Sequence, residues 1–278
     1  MTDTREPGYG RVDREYGTHL ATIPPEEDGP IWMVNLMAYR ERAVYDGAET
    51  AVSGREADDR YAPVDVLDAI GARVAFLADV SDQLLGDEPR WDRVGIVRYP
   101  TRRSFIDMQR RPDFAEKHVH KAAGMAETIV AGCLPIPSPQ DAADAPAPVD
   151  WAEVPHPPTD DDGPVTVLHL IRFHPGQAAG EMAAYEQDAA RVAVPHGVRI
   201  SGWFAVEGTI VGDGRSWDQA RFNQFPSRAA FLAVAADPER LAAQAAHREV
   251  AIADTYTLIL RPSIDRLAAS VTEVALEI

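Results

Sequence analysis

Residues 91–114 read WDRVGIVRYPTRRSFIDMQRRPDF, and residues 217–241 read WDQARFNQFPSRAAFLAVAADPERL. Trp91, Asp92, Pro100, Arg102, Phe105 and Pro112 recur as Trp217, Asp218, Pro226, Arg228, Phe231 and Pro238, with the same spacing throughout. The chain thus reads as one module written twice. Positions kept in both copies are expected to be architectural. Positions that differ in chemistry are where function is expected.

Outward from these stretches, each copy spells the same order of elements. Gly29-Pro30 opens the strand-like run IWMVNLMAY, and Gly163-Pro164 opens VTVLHLIRF. Arg55 to Ile70 has helical periodicity with Tyr61, Val64 and Leu67 on one stripe. Two strands, a helix carrying Phe105 and Met108, a second helical piece from Phe114 to Met125 and a closing strand follow. Copy two predicts helix 179–191, strands 197–206 and 217–225, helix 227–250 and strand 254–261. This β-α-β-β-α-β order is the ferredoxin-like pattern. The expected class is α+β: two tandem ferredoxin-like repeats forming, within one chain, the barrel that other proteins build as a dimer. The two sheets should pack face to face, because each needs a cover on the side without helices.

The expected boundaries are an N-terminal polar arm at 1–28, repeat one at 29–135, a Pro/Ala/Asp linker at 136–162, repeat two at 163–262 and a C-terminal extension at 263–278. The extension reads as a helix plus a short strand that docks on the barrel or mediates assembly, a homodimer included.

The formal charge of −17 argues against nucleic acid and anionic membranes, which call for clustered Lys and Arg. Lysine occurs only at Lys117 and Lys121. Cys133 is the lone cysteine, read as a small core residue, so neither an intramolecular disulfide nor a cysteine zinc cluster can form. The N-terminal stretch has no apolar run of the signal-peptide kind, and no segment reaches the roughly 18 apolar residues of a membrane span. A cytoplasmic protein is expected. Gly-rich phosphate loops are absent, and no set of His and carboxylates has metal-ligand spacing.

Two residues break the structural pattern. Alternation along the first strand puts Met33, Asn35, Met37 and Tyr39 on one face and Trp32, Val34 and Leu36 on the other. Asn35 is an amide amid apolar residues, and its counterpart in copy two is His169. Either it satisfies a core hydrogen bond or it points into a pocket to orient a substrate oxygen. On the later helix, Phe114, His118, Ala122 and Met125 share an inward stripe. His120 faces away and is expected to pair with Glu116. Aligning Phe114 with Leu241, with one inserted residue in copy two, matches His120-Lys121 to His247-Arg248 and sets His118 against Ala245. His118, peculiar to copy one, is either a hydrogen-bonded core residue, a base or an axial metal ligand. The segment from Arg40 to Arg60 is long in copy one and reads as a lid or a solvated loop, from which Tyr45, Arg55, Arg60 and Tyr61 could reach inward. The half-barrels are expected to close around a water-poor chamber shared by His118 and Asn35.

The run Phe105-IDMQRRPD-Phe114-AEK-His118 resembles the corresponding helix of the antibiotic-biosynthesis monooxygenase family, which has the dimeric α+β barrel fold. Some members pair the His with an Asn on the first strand, here Asn35. Met108 stands where that family carries a Trp, which weighs against haem degradation. The segments Tyr99 to Phe105 and Phe225 to Phe231 also resemble the Y/F-P-S/T-R-x-x-F signature of small dimeric α+β barrel domains.

The resemblance implies an oxygenase of secondary metabolism without a bound metal, acting on an activated aromatic such as an anthrone or related polyketide, with O2 as co-substrate. No cofactor need be tightly bound, though related enzymes are thought to use reduced flavin as a co-substrate. His118 would be the base and Asn35 the oxyanion donor. Trp32, Met33, Met37, Tyr39, Tyr61, Met108, Arg55 and His169 are the candidate substrate-binding residues. Three other readings stand: a non-oxidative isomerase, decarboxylase or cyclase on a small carbonyl compound, a haem-binding barrel with His118 as axial ligand, and a non-enzymatic domain.

Overall fold

Every long strand of this chain carries bulky apolar side chains on both faces, as strands covered on both sides do. The computed structural model describes residues 7–143, 145–177 and 180–275. Helix α1 (Arg14–Thr22) precedes β1 (Ile31–Tyr39), α2 (Gly54–Tyr61), α3 (Val64–Ala69), β2 (Arg73–Leu85), β3 (Arg93–Tyr99), α4 (Arg102–Gln109), α5 (Pro112–Gly124) and β4 (Met125–Pro135). Repeat two supplies β5 (Val165–Phe173), α6 (Glu181–Ala193), β6 (Arg199–Gly212), β7 (Gln219–Phe225), α7 (Arg228–Ala235), α8 (Pro238–Ala243) and β8 (Ile252–Asp265), and α9 (Leu267–Ala275) follows.

The strand order is β6-β7-β5-β8-β2-β3-β1-β4, with β4 pairing back onto β6. The result is a closed eight-stranded antiparallel barrel. Each half has the order second-third-first-fourth strand of its repeat. The two seams, β8 on β2 and β4 on β6, join a fourth strand to the other half's second strand. Closure leaves neither half with a free edge.

The repeated residues build the frame. Trp91 and Trp217 both pack on Tyr256, with ring centroids 5.6 and 5.5 Å apart. The Asp92 and Asp218 carboxylates accept from the backbone N–H of Tyr39 and Phe173, fixing the ends of β1 and β5. Phe105 and Phe231 each meet the aromatic residue that ends the preceding strand at 5.2 Å. Pro112 and Pro238 occupy first-turn helix positions, where proline is tolerated.

The space between the two half-sheets is filled. Trp32, Phe76, Phe204, Phe222 and Tyr256 are fully buried in one cluster. Trp32 meets Phe204 at 5.9 Å and Phe76 meets Phe222 at 5.7 Å, each pair crossing from one repeat to the other. Helix α9 lies against this core, with Leu267 buried in it and Ser270 accepting from Trp32 Nε1 at 2.9 Å. Among the described residues there is therefore no chamber of the expected kind between the half-barrels, because the large side chains of both sheets occupy that space. The open volume lies on the opposite face of each sheet, under the helices.

Local departures from expectation have local causes. The helix expected over Arg55 to Ile70 is two helices, since Pro63 cannot donate in a continuous one. The polar arm contains α1, capped by Asp13 and packed across the β4–β6 seam. Tyr16 on α1 lies over Gly132 and Gly208, paired neighbours on β4 and β6, where any Cβ would strike its ring or hydroxyl. The extra residue of copy two is taken up as a π turn, Gln244–Arg248. Gln244, rather than Ala245, then lines the cavity of repeat two as His118 lines that of repeat one. The ends of the chain, 1–6 of the arm and 276–278 of the C-terminal extension, lie outside the described residues.

Candidate active site

A cavity of about 920 Å³ lies between the outer face of the first half-sheet and helices α2 to α5, within the size range of small-molecule sites. Alternation along β1 projects Met33, Asn35 and Met37 into it. Helix α5 adds Phe114, His118 and Lys121, spaced four and three residues apart and so on one stripe. Tyr61 closes it from α2, Met108 from α4, and Tyr9 from the arm.

His118 is the centre of an aromatic cluster. Its ring lies 5.4 Å from Phe114, 6.4 Å from Tyr61 and 6.4 Å from Tyr9. Its Nε2 is 3.0 Å from the Tyr9 hydroxyl. Burial first, and then the nearby Lys121 ammonium, push its pKa down to about 4. The imidazole is thus neutral at physiological pH and able to take a proton.

Lys121 is 9% exposed, with its ammonium 5.5 Å from the centre of the Tyr61 ring. Among the described residues its ammonium has neither a hydrogen bond nor an ion pair. Burial pushes its pKa down, opposed by the negative field of Asp58. Asp58 itself is occupied: it accepts from the Tyr39 hydroxyl at 2.6 Å and from Arg93 Nη1 at 3.1 Å.

Asn35 lines the cavity, but its amide nitrogen donates to the carbonyls of Met33 at 2.9 Å and Gly95 at 3.5 Å. Its donors face backbone, so what it can offer a ligand is the acceptor Oδ1. Lys121, rather than Asn35, is the cavity-lining residue with side-chain donors not taken by backbone carbonyls.

The remaining candidates separate. Trp32 faces the barrel interior, on the far side of the sheet from His118. Tyr39 is turned to Asp58 and does not line the cavity. Arg55 pairs with Asp79 at 2.9 Å and Asp59 at 3.5 Å, outside the cavity. His169 lies under the helices of repeat two, bonded to Thr257 Oγ1 at 3.1 Å. The expected lid is a short hairpin, Val44–Tyr45 with Ala48–Glu49, and Tyr45 bonds His120 Nδ1 at 2.8 Å. His120 therefore has Tyr45 rather than Glu116 as its partner, because the hairpin lies over that face of α5.

Sequence reasoning missed Tyr9 and Lys121. Lys121 carried a signal, lying three residues beyond His118 as one of only two lysines. Tyr9 carried none. The Tyr9 hydroxyl lies 3.0 Å from His118 Nε2, so Nδ1 is the ring nitrogen without a protein partner among the described residues. Among the described residues, no three His, Cys, Asp or Glu side chains gather in a metal-sized cluster.

Solved structures share the fold. An anthrone oxidase-like protein superposes with a TM-score of 0.52 at 14% identity, over 87% of this chain and 97% of that one. The chain is an α+β barrel protein. A protein of unknown function from Rhodopseudomonas palustris is 28% identical and matches 47% of this barrel's chain and 99% of its own, with a TM-score of 0.41. A mutant chlorite dismutase from Candidatus Nitrospira defluvii matches 88% of this barrel's chain and 95% of its own at 12% identity, with a TM-score of 0.48. No family model and no curated protein matches this barrel.

Proposed function

We propose that the protein is a small-molecule oxygenase that removes a proton from an activated aromatic or polyketide-type substrate in the repeat-one cavity and lets the resulting anion reduce O2. The observation that carries this reading is a neutral imidazole, His118, beside a buried and unpaired ammonium, Lys121, in a largely apolar cavity. A base and a preplaced positive charge are what formation of a stabilised carbanion or phenolate requires.

In the proposed reaction His118 takes one proton from an acidic CH2 flanked by aromatic rings, and Lys121 balances the charge spread onto the substrate oxygen. The anion passes electrons to O2, a C–O bond forms, and the terminal peroxide oxygen takes the proton back from His118 to give a hydroperoxide. Loss of the second proton from that carbon breaks the O–O bond. The departing hydroxide leaves as water with the proton held by His118. The CH2 becomes C=O, and one O2 gives one carbonyl oxygen and one water. All the electrons come from the substrate. Met33, Met37 and Met108 wall the cavity and exclude water from the anion.

The test is an oxygen electrode with purified protein and a panel of anthrones, without added metal or flavin. The expected result is one O2 consumed per substrate, with label from 18O2 in the product carbonyl, and loss of activity in His118→Ala. Turnover that proceeds without O2 would instead point to an isomerase, decarboxylase or cyclase. Uptake that requires reduced flavin would refute the cofactor-free step.

A further inference from the structure

We propose that repeat two holds a separate binding site for a hydrophobic carboxylic acid, with Arg248 as the counter-ion of its carboxylate. A second cavity of about 620 Å³ lies on the outer face of the second half-sheet, under α6 to α8. Its walls are mostly apolar, among them Ile171, Met182, Ile200, Phe225, Phe231 and Val234.

The charges in this apolar space do not balance. Four arginines and one glutamate line it: Arg191, Arg221, Arg240, Arg248 and Glu186. Arg191 is exposed and pairs with Asp188 at 2.6 Å. Arg221, 4% exposed, takes Glu186 at 2.7 Å and stacks on Trp203 with its guanidinium 4.1 Å from the ring centre. Among the described residues the Arg240 side chain bonds only neutral oxygens, the Tyr185 hydroxyl at 3.2 Å and the Ala235 carbonyl at 2.9 Å. Arg248 is 6% exposed, and among the described residues its side chain makes neither a hydrogen bond nor an ion pair. Its Nη2 is buried without a partner. His169 adds no negative charge: burial, then Arg248, Arg221 and Arg240, hold it neutral. Three inward guanidiniums thus share one carboxylate in the cavity wall, and Glu249 adds a favourable field at Arg248 without pairing with it.

A guanidinium does not escape burial by losing its proton, so it needs an anion. A carboxylate matches its planar fork with two parallel hydrogen bonds. The apolar walls call for a hydrophobic body behind that carboxylate. The local chain geometry agrees with a purpose-built position: Arg248 ends the π turn, a deformation that recurs at functional sites.

The test uses 2-naphthoate and decanoate against their neutral amides, by titration calorimetry and thermal shift. Wild-type protein should bind each acid at least tenfold more tightly than its amide. Arg248→Met, close in volume but uncharged, should erase that preference while keeping amide binding, and Arg248→Lys should restore part of it. Lys121→Met, in the other cavity, should leave the preference intact. The proposal fails if neither acid binds, if acid and amide bind equally, if the preference survives Arg248→Met in folded protein, or if Lys121→Met removes it instead. The readout is binding, so it stands apart from the oxygenase reading.

Discussion

Arg102 on α4 and Glu207 on β6 belong to different repeats, and their side chains meet at 2.7 Å across the β4–β6 seam. Tyr16 of the arm donates to the same carboxylate at 2.9 Å. At the other seam Arg228, the repeat-two counterpart of Arg102, reaches Asp82 on β2 at 3.0 Å. The backbone N–H groups of these arginines donate to Asp28 and Asp162, which precede the two Gly-Pro pairs. The recurring arginine is thus a clasp between the halves.

Removing one side of the inner clasp leaves a charge stranded beneath α1. Arg102→Met should lower the stability to urea by about 3 kcal/mol, the range for breaking a largely buried pair. Burial raises the Glu207 carboxyl, but the bonds from Arg102 and Tyr16 outweigh it and hold it below the ordinary range. A depressed carboxyl gives stability that is present above its unfolded value of about 4.3 and is lost as pH falls through the lower folded value. Wild-type protein should therefore lose more stability than Arg102→Met as the solution is acidified below about pH 4.

His118 is expected to titrate near pH 4 rather than 6.5, which imidazole nitrogen shifts would read directly. Because the folded value is depressed, the unfolded chain binds the proton first. Stability should fall as pH drops from about 6.5 to about 4 and then level off, a dependence that His118→Gln should remove. Lys121→Met takes away a positive neighbour and should raise the His118 value. If the proposed reaction is right, kcat/KM for oxygen uptake should have its acid limb near pH 4.

Tyr9→Phe deletes one hydrogen bond and keeps the ring. Its stability cost should be modest, about 1 kcal/mol. Oxygen uptake should fall roughly tenfold as His118 loses the partner that fixes its ring. A wild-type rate in Tyr9→Phe would place Tyr9 in the wall alone.

At Gly208, a Cβ would stand 2.5 Å from the Tyr16 ring. Gly208→Ala should push α1 off the seam and cost about 1–3 kcal/mol, as overpacking does. Limited proteolysis should then cut the arm faster than in wild-type protein. Unchanged cleavage would mean that the arm is held elsewhere.

The scaffold was legible because its signals are local and doubled. Two Trp-Asp pairs, two Gly-Pro strand openings and the alternation of IWMVNLMAY set the order and faces of the strands. Alternation could not reveal which face of the sheet stays open, since that depends on how much volume Trp32 and Phe204 take from opposite halves. His118 was legible from its stripe on α5. Tyr9 was not, because its contact spans 109 residues and is made by the path of the arm. The π turn was visible only as one inserted residue, which sequence alone could not locate along the helix.

The packed lumen has a further consequence. Hydrocarbon from both halves separates the two cavities, so ligand chemistry in one need not disturb the other. In a homodimer every substitution arrives twice, at symmetric places. Here the cavity of one half carries His118 and Lys121 while that of the other carries three inward arginines, and a protein engineer could redesign either compartment while leaving the opposite one as a built-in reference.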